Sequence, residues 1–285
     1  MADAAARYWP APAKINLFLH VCGRREDGYH ELQTLFQLLD WGDEVFVEPR
    51  DEAAISKAGP GYGVAEDDDL AVRAARLLQS ESGCRSGAEI RVRKNIPLGA
   101  GMGGGSSNAA TVLLVLNELW GCGLSLDDLA ALGLTLGADV PVFVRGNTAL
   151  ATGIGERLEA VSLGRRYYVL VFPGLTIPTP RVFADPLLRR DSKTLSRSEA
   201  LAGGGRNDCT PVVRRLWPAM DEAFEKLAAW GSPGMTGTGS GIFIPAPSEA
   251  EAERAAREIK NLYNCRAAAG VDRSHLHENL YTGGA

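Results

Sequence analysis

Between Pro97 and Ser107 the chain reads PLGAGMGGGSS, with glycine at 99, 101, 103, 104 and 105. No regular helix or strand interior accepts that density, because glycine loses more conformational freedom on folding than any other residue. The preceding AEIRVRKNIP (88–97) alternates apolar and polar residues, which predicts a half-exposed strand ending at a proline. The following apolar run predicts a helix over 106–120. The chain must therefore build a strand, a glycine turn and a helix start in succession.

That succession suits an anion. Glycines let backbone N–H groups converge, and the helix dipole adds partial positive charge. Ser106 and Ser107 fall where the helix begins, placed to cap it, bond a phosphate oxygen or touch a metal ion. The Walker pattern fails, since no lysine precedes the serines. The letters from Gly99 to Gly104 match the dinucleotide fingerprint, but they come too late in the chain for a first βαβ unit. The alternative is a flexible or tightly packed turn with no ligand.

Two distant residues carry charge in apolar settings. Lys14 lies in PAKINLFLH, an apolar strand where an ammonium is costly without a carboxylate or phosphate to meet it. Asp139 stands in GADVPVF, after a helix that ends at Gly137. Alone, the lysine is equally a snorkelling edge residue and the aspartate a turn residue. Beside a phosphate loop they read as a cation and a carboxylate for phosphoryl transfer to a hydroxyl.

The remaining pattern is α+β, without the regular march of a doubly wound sheet. Strands are expected over 13–21, around 43–48 and over 167–174, and Asp27-Gly28 marks a turn. Helices are expected over 69–81 with Asp69 as N-cap, over 125–137 with a Ser125/Asp128 cap, and over 217–231. A further helix is expected over 247–264, with Ser248 and Glu251 as a capping box. Residues 138–161 read as short strands joined by turns, 178–186 as a proline turn into a short helix, and 189–209 as a mobile, linker-like loop. A second glycine turn, MTGTGSG, occupies 235–241.

The net charge of −5 argues against a nucleic-acid partner, and no apolar run has the length of a membrane span. Five scattered cysteines with no C-x-x-C pair read as reduced thiols in the cytoplasm.

Four stretches together carry a resemblance: PAKINLFLHVCGRREDGYHELQTLFQLLDWGD, PLGAGMGGGSSNAA, LGADVPVFVRG and MTGTGSGIF. The chain resembles the GHMP kinase superfamily, and AKINLFL and DGYHEL narrow the likeness to one branch of it. The resemblance implies a two-domain α+β architecture with the active site in the interdomain cleft, its N-terminal domain similar to the ribosomal S5 second-domain fold. Domain limits of 1–162 and 163–285 are expected. It implies ATP as co-substrate, Mg²⁺, and phosphorylation of the 2-hydroxyl of a cytidine-diphosphate-linked methylerythritol. It assigns catalysis to Lys14 and Asp139. It assigns the nucleotide to Lys94 and to Pro97, Leu98, Gly99, Ala100, Gly101, Met102, Gly103, Gly104, Gly105, Ser106 and Ser107, with Ser107 as a candidate metal contact. It assigns the acceptor to Asn16, Tyr29, His30, Thr179 and Phe183, with Tyr29, His30 and Phe183 at the cytosine, where aromatic rings and a histidine suit a π face with a donor/acceptor edge. Taken alone, His30 reads as a capping histidine and Phe183 as core. The expected assembly is a monomer or weak homodimer. Two departures stand out: Asp69 replaces the asparagine usual in the family, and the tail SHLHENLYTGGA has no counterpart expected there. The competing readings are a GHMP kinase for homoserine, mevalonate or a sugar, and a nucleotide-binding regulator without catalysis.

Overall fold

The computed structural model describes residues 7–281. It opens with two long antiparallel strands, β1 (Tyr8–Arg24) and β2 (His30–Arg50). The turn between them is closed by Gly28 at φ +87° and by the Asp27 carboxylate, which accepts the Tyr29 N–H at 3.0 Å. The single strand β2 replaces the shorter one expected around 43–48. Its apolar alternation breaks where the register shifts between Pro12 and Lys14, so the interruption is a bulge inside one strand. Gly42 sits at that irregularity, and a Cβ there would lie 2.0 Å from the Ala11 carbonyl oxygen.

Short β3 (Ile55–Lys57) runs parallel to β4 (Gly87–Arg93), which pairs with β2. Between β3 and β4 the chain forms α1 (Leu70–Ser82). Three helices follow: α2 (Gly104–Leu119), α3 (Leu126–Leu136) and α4 (Val140–Arg145). Next come β5 (Ala149–Gly153), on the edge of β2, and β6 (Arg157–Ala160). The second half contains β7 (Arg166–Phe172), α5 (Thr179–Phe183), α6 (Arg197–Leu201), α7 (Thr210–Leu216) and α8 (Pro218–Leu227). It ends with β8 (Gly234–Met235), β9 (Ile242–Ala246), α9 (Glu249–Ile259), β10 (Asn264–Val271) and α10 (His275–Tyr281).

The described strands join one sheet with the path β3-β4-β2-β10-β7-β9-β8, while β1 and β5 pair with β2 off this path and β6 pairs with β5; β10 bridges the halves through Gly270 and Val271 against Leu39 and Leu38. One core lies between α1–α4 and the first half of the sheet, built on residues such as Leu78, Leu113, Leu116 and Val140. A second lies between α7–α9 and β7 and β9, built on Val169, Val171, Phe224 and Ile259. The mixed α+β architecture is therefore as expected. No helix among the described residues is long and apolar enough to cross a membrane.

Four local expectations fail for identifiable reasons. Val140–Arg145 is a helix rather than a strand. Its β-branched residues favour strand, but Val140 to Val144 are all buried, Pro141 fits the first turn and Gly146 caps the end at φ +67°. The supposed mobile loop 189–209 contains α6, opened by a Ser196/Glu199 capping box, and is tied to β1 by Ser192 N–H to Val21 O and Asp208 N–H to Leu19 O. At α9, Ser248 accepts the Glu251 N–H, but Glu251 pairs with Arg254 instead of closing the box. The tail is part of the fold as far as Tyr281. His277 donates from Nε2 to the Val144 carbonyl at 2.8 Å, and its ring packs where a Cβ on Gly146 would stand. Residues 282–285 lie outside the described residues.

Asp139 owes its position to close packing of α3 on α4. A Cβ on Gly133 would fall 2.6 Å from Val140 Cγ1. Gly133→Ala is expected to cost about 1–3 kcal/mol, and Val140→Ala should cost less in that background than alone. A double-mutant cycle in denaturant checks the coupling.

Candidate active site

Lys14 and Asn16 lie on the same face of β1, in a short regular stretch between two register shifts. Lys14 is 2% exposed, so its ammonium depends on partners inside the protein. It has three donors and finds three acceptors: Asn16 Oδ1 at 2.7 Å, the Gly101 carbonyl at 3.1 Å and Asp139 Oδ2 at 3.2 Å. The Phe36 ring lies beneath it, 5.2 Å from Nζ to the centroid. Asp139 precedes α4 but makes no side-chain cap bond, which leaves its carboxylate for the lysine and, at 36% side-chain exposure, for solvent.

Asn16 ties the two glycine turns to β1. Its Oδ1 accepts the Gly237 N–H at 3.0 Å, its backbone N–H donates to Thr236 Oγ1 at 3.0 Å, and its Nδ2 donates to Thr34 Oγ1 at 2.9 Å. The turns also bond each other directly. Ser240 N–H donates to Gly99 O and Gly241 N–H to Ala100 O, both at 3.1 Å. In PLGAGMGGG, Ala100 and Met102 are buried in a small core with Ile96, Tyr168 and Phe243, while the glycines between them carry the exposed backbone. Gly101 has φ +69°, and a Cβ there would lie 2.4 Å from the Thr236 carbonyl oxygen. Gly103, at φ +72°, is the N-cap of α2 and brings no side chain to satisfy the first-turn N–H groups. The N–H groups of residues 104–106 consequently have no acceptor inside the helix.

A cleft of about 760 Å³ opens onto these groups. Of the loop, Gly101, Gly103 and Ser106 line it; Lys14, Asn16 and Asp139 line its floor. Ser107 does not: it is fully buried and its Oγ has no hydrogen-bond partner. Lys94 lies outside the cleft wall, beside the start of α2, paired with the buried Asp43 carboxylate. Asp43 also accepts the Asn95 and Ile96 N–H groups at 2.7 and 2.8 Å. Asp69 caps α1 through the Ala71 N–H and binds Lys57 at 2.8 Å and the Tyr62 hydroxyl. Burial first, and then the Asp69 bond, push the Tyr62 hydroxyl far above its ordinary pKa, so it stays a donor.

At the other end of the cleft stand Tyr29, His30, Thr179 and Phe183. Tyr29 is 60% exposed. His30 and Phe183 stack on each other, with centroids 5.0 Å apart and planes 30° apart. That contact leaves no room for a base between them, so a ligand ring meets their edges and outer faces. Thr179 Oγ1 lies 2.8 Å from Thr238 Oγ1. Burial, then the charges of Arg190 and Arg24, hold the His30 pKa below its ordinary value.

Sequence reading missed Thr34, Phe36, Ile154, Thr238 and Arg24, which also line the cleft. A signal existed for the first two: Leu32, Thr34 and Phe36 share one face of β2 by their spacing of two. For Mg²⁺ the chain offers hard oxygen donors in the cleft, the Asp139 carboxylate and the Ser106 hydroxyl. This set fits an ion held mainly by nucleotide phosphates. No cluster of three or more His, Cys, Asp or Glu side chains suited to a metal occurs among the described residues.

The family described as "GHMP kinases N terminal domain" matches residues 69–147, and "GHMP kinases C terminal" matches 183–265. The chain is 51% identical to the 4-diphosphocytidyl-2-C-methyl-D-erythritol kinase of Halorhodospira halophila over 95% of its own length and 96% of that protein's. It is also 51% identical to the enzyme of the same name from Xanthomonas axonopodis pv. citri, covering 94% and 92% of the two chains. A crystal structure of 4-(cytidine 5'-diphospho)-2C-methyl-D-erythritol kinase superposes with a TM-score of 0.80 at 40% identity, covering 93% of this chain and 98% of that one. Methanococcus jannaschii mevalonate kinase, at 12% identity, shares the fold with a TM-score of 0.67 over 95% and 99% of the two chains.

The two loop glycines at 99 and 101 have similar φ but different surroundings, since nothing lies within 4 Å of a Cβ on Gly99. Gly99→Ala should cost only the left-handed backbone penalty, about 1–2 kcal/mol. Gly101→Ala should cost more, because it pushes the two glycine turns apart. Thermal melting of both variants checks the order.

Proposed function

Because the chain belongs to the 4-diphosphocytidyl-2-C-methyl-D-erythritol kinase family of GHMP kinases, we infer that it transfers the γ-phosphoryl group of ATP to the 2-hydroxyl of 4-diphosphocytidyl-2-C-methyl-D-erythritol, a step of non-mevalonate isoprenoid precursor synthesis. The observation that carries this reading to the residues is the Lys14–Asp139 pair, at 3.2 Å beside the glycine turn and the start of α2. In this reading residues 1–162 supply the nucleotide cradle and both catalytic side chains. Residues 163–285 supply one wall of the acceptor pocket.

The acceptor hydroxyl donates to the Asp139 carboxylate. As its oxygen bonds the γ-phosphorus, the bond to the β-phosphate oxygen breaks, ADP leaves, and the hydroxyl proton passes to Asp139. Lys14 offsets charge on the transferring group. Its three donors are already engaged, so reaching a phosphate oxygen means exchanging one protein acceptor for it. The N–H groups of residues 104–106 and the dipole of α2 bind the phosphates, and Lys94, paired with Asp43 behind the start of α2, adds positive charge from outside the cleft wall. Mg²⁺, held by Ser106 and Asp139 with the phosphates, supplies further charge neutralisation when bound. Asn16 and Thr179 border the acceptor chain. Tyr29 and Phe183 offer ring faces to the cytosine and His30 offers its polar edge. Five unpaired thiols suit a cytoplasmic enzyme.

A coupled assay for ADP over 4-diphosphocytidyl-2-C-methyl-D-erythritol, homoserine, mevalonate and galactose should give turnover only with the first. Asp139→Asn should lower kcat by about 10²–10⁴ while nucleotide binding persists; wild-type turnover in that variant removes Asp139 as the base. Lys14→Ala should lose both activity and folded stability, read by the same assay and by melting.

A further inference from the structure

Arg190 joins the two stacked residues of the acceptor pocket, bonding the His30 ring and the Phe183 backbone. Its Nε donates to His30 Nε2 at 3.2 Å. Its Nη2 donates to the carbonyls of Phe183 and Asp185, both at 2.8 Å, and its Nη1 to the Leu188 carbonyl at 3.0 Å. The Phe183 and Asp185 carbonyls lie at the end of α5, where a cation suits the helix terminus. The Asp185 carboxylate is taken by Arg215 at 2.6 Å and by the Leu187 N–H, so it does not draw Arg190 away from the histidine.

A guanidinium donates and never accepts. The His30 nitrogen facing it must carry a lone pair, and a neutral imidazole then has its proton on Nδ1. An imidazolium would set N–H against N–H. Burial and the positive charges of Arg190 and Arg24 disfavour that form as well. No hydrogen bond within the described protein engages His30 Nδ1, and the residue lines the cleft.

We propose that Arg190 is a positioning residue that fixes His30 as the Nδ1–H tautomer, so that the pocket presents a ring N–H to the base and selects cytosine over uracil. The inference rests on the acceptor assigned above. At ring position N3 cytosine has a lone pair, which accepts from Nδ1–H. Uracil has an N–H there, which opposes it and leaves two donors unpaired. A histidine free to exchange tautomers would offer an acceptor to uracil and lose the selection.

Imidazole ¹⁵N NMR on the ligand-free protein, with the His30 signals assigned by His30→Gln, reads the tautomer without substrate. The wild type should show an unprotonated Nε2. Arg190→Met should shift the signals toward the Nε2–H form, and Arg190→Lys, which keeps a pure donor, should restore them in part. With cytidine- and uridine-diphosphate-linked methylerythritol as acceptors, Arg190→Met should lower the cytidine preference in kcat/KM about tenfold or more, through acceptor KM more than through kcat. Melting and the KM for ATP establish that the variant is folded. A protonated Nε2 in the wild type, or an unchanged preference in a folded Arg190→Met, overturns the proposal. A wild type inactive on both acceptors overturns the acceptor reading and the base selection with it.

Discussion

A buried ammonium organises this molecule. Lys14 is out of water, and an uncompensated charge in that position costs several kcal/mol. Its acceptors come from β1, from the glycine turn and from the residue before α4, three segments that meet nowhere else in the sequence. Each segment carries a device that lets it arrive. Two register shifts frame Lys14 and Asn16, Gly101 removes a clash with the Thr236 carbonyl, and Gly133 lets α3 close on α4. The fold can be read as the set of packings that delivers one carbonyl, one amide and one carboxylate to a single cation.

The glycine turn follows from the same logic. Its glycines do not make it loose. Ala100 and Met102 are anchored in apolar surroundings, and the second glycine run bonds along its backbone. The ordering entropy is therefore lost on folding rather than on binding, and the start of α2 meets the cleft at Gly103 and Ser106 already preorganised. The turn itself holds no lysine; the ammonium beside it is that of Lys14, which reaches the Gly101 carbonyl from β1.

Much of this was legible because it is local. The strand, glycine turn and helix around residue 100 follow from composition and spacing, as do the caps at Asp69, Ser125 and Ser248. What escaped depends on tertiary context. Val140–Arg145 has the residues of a strand and becomes a helix because every side chain through Val144 is buried and the segment packs on α2 and α3. The α6 capping box at Ser196 and Glu199 was readable, but a polar, glycine-rich neighbourhood concealed it. Asp69 was legible as a cap, but its partners Lys57 and Tyr62, which meet its carboxylate, were not. Arg190 is separated from His30 by most of the chain, and no periodicity connects them.

The first hairpin is shared property. Trp9 and Ala11 pack in one core, while Leu19 and Val21, on the same strand, pack in the other. β10, nearly the last element of the chain, closes against the middle of β2. Each half draws part of its core from the hairpin, so the two halves are expected to melt together rather than in two steps. Synthesis imposes a matching delay: the middle of β2 must wait for a neighbour translated long after it. Contacts so distant in sequence make folding slow and leave that edge uncovered in the meantime.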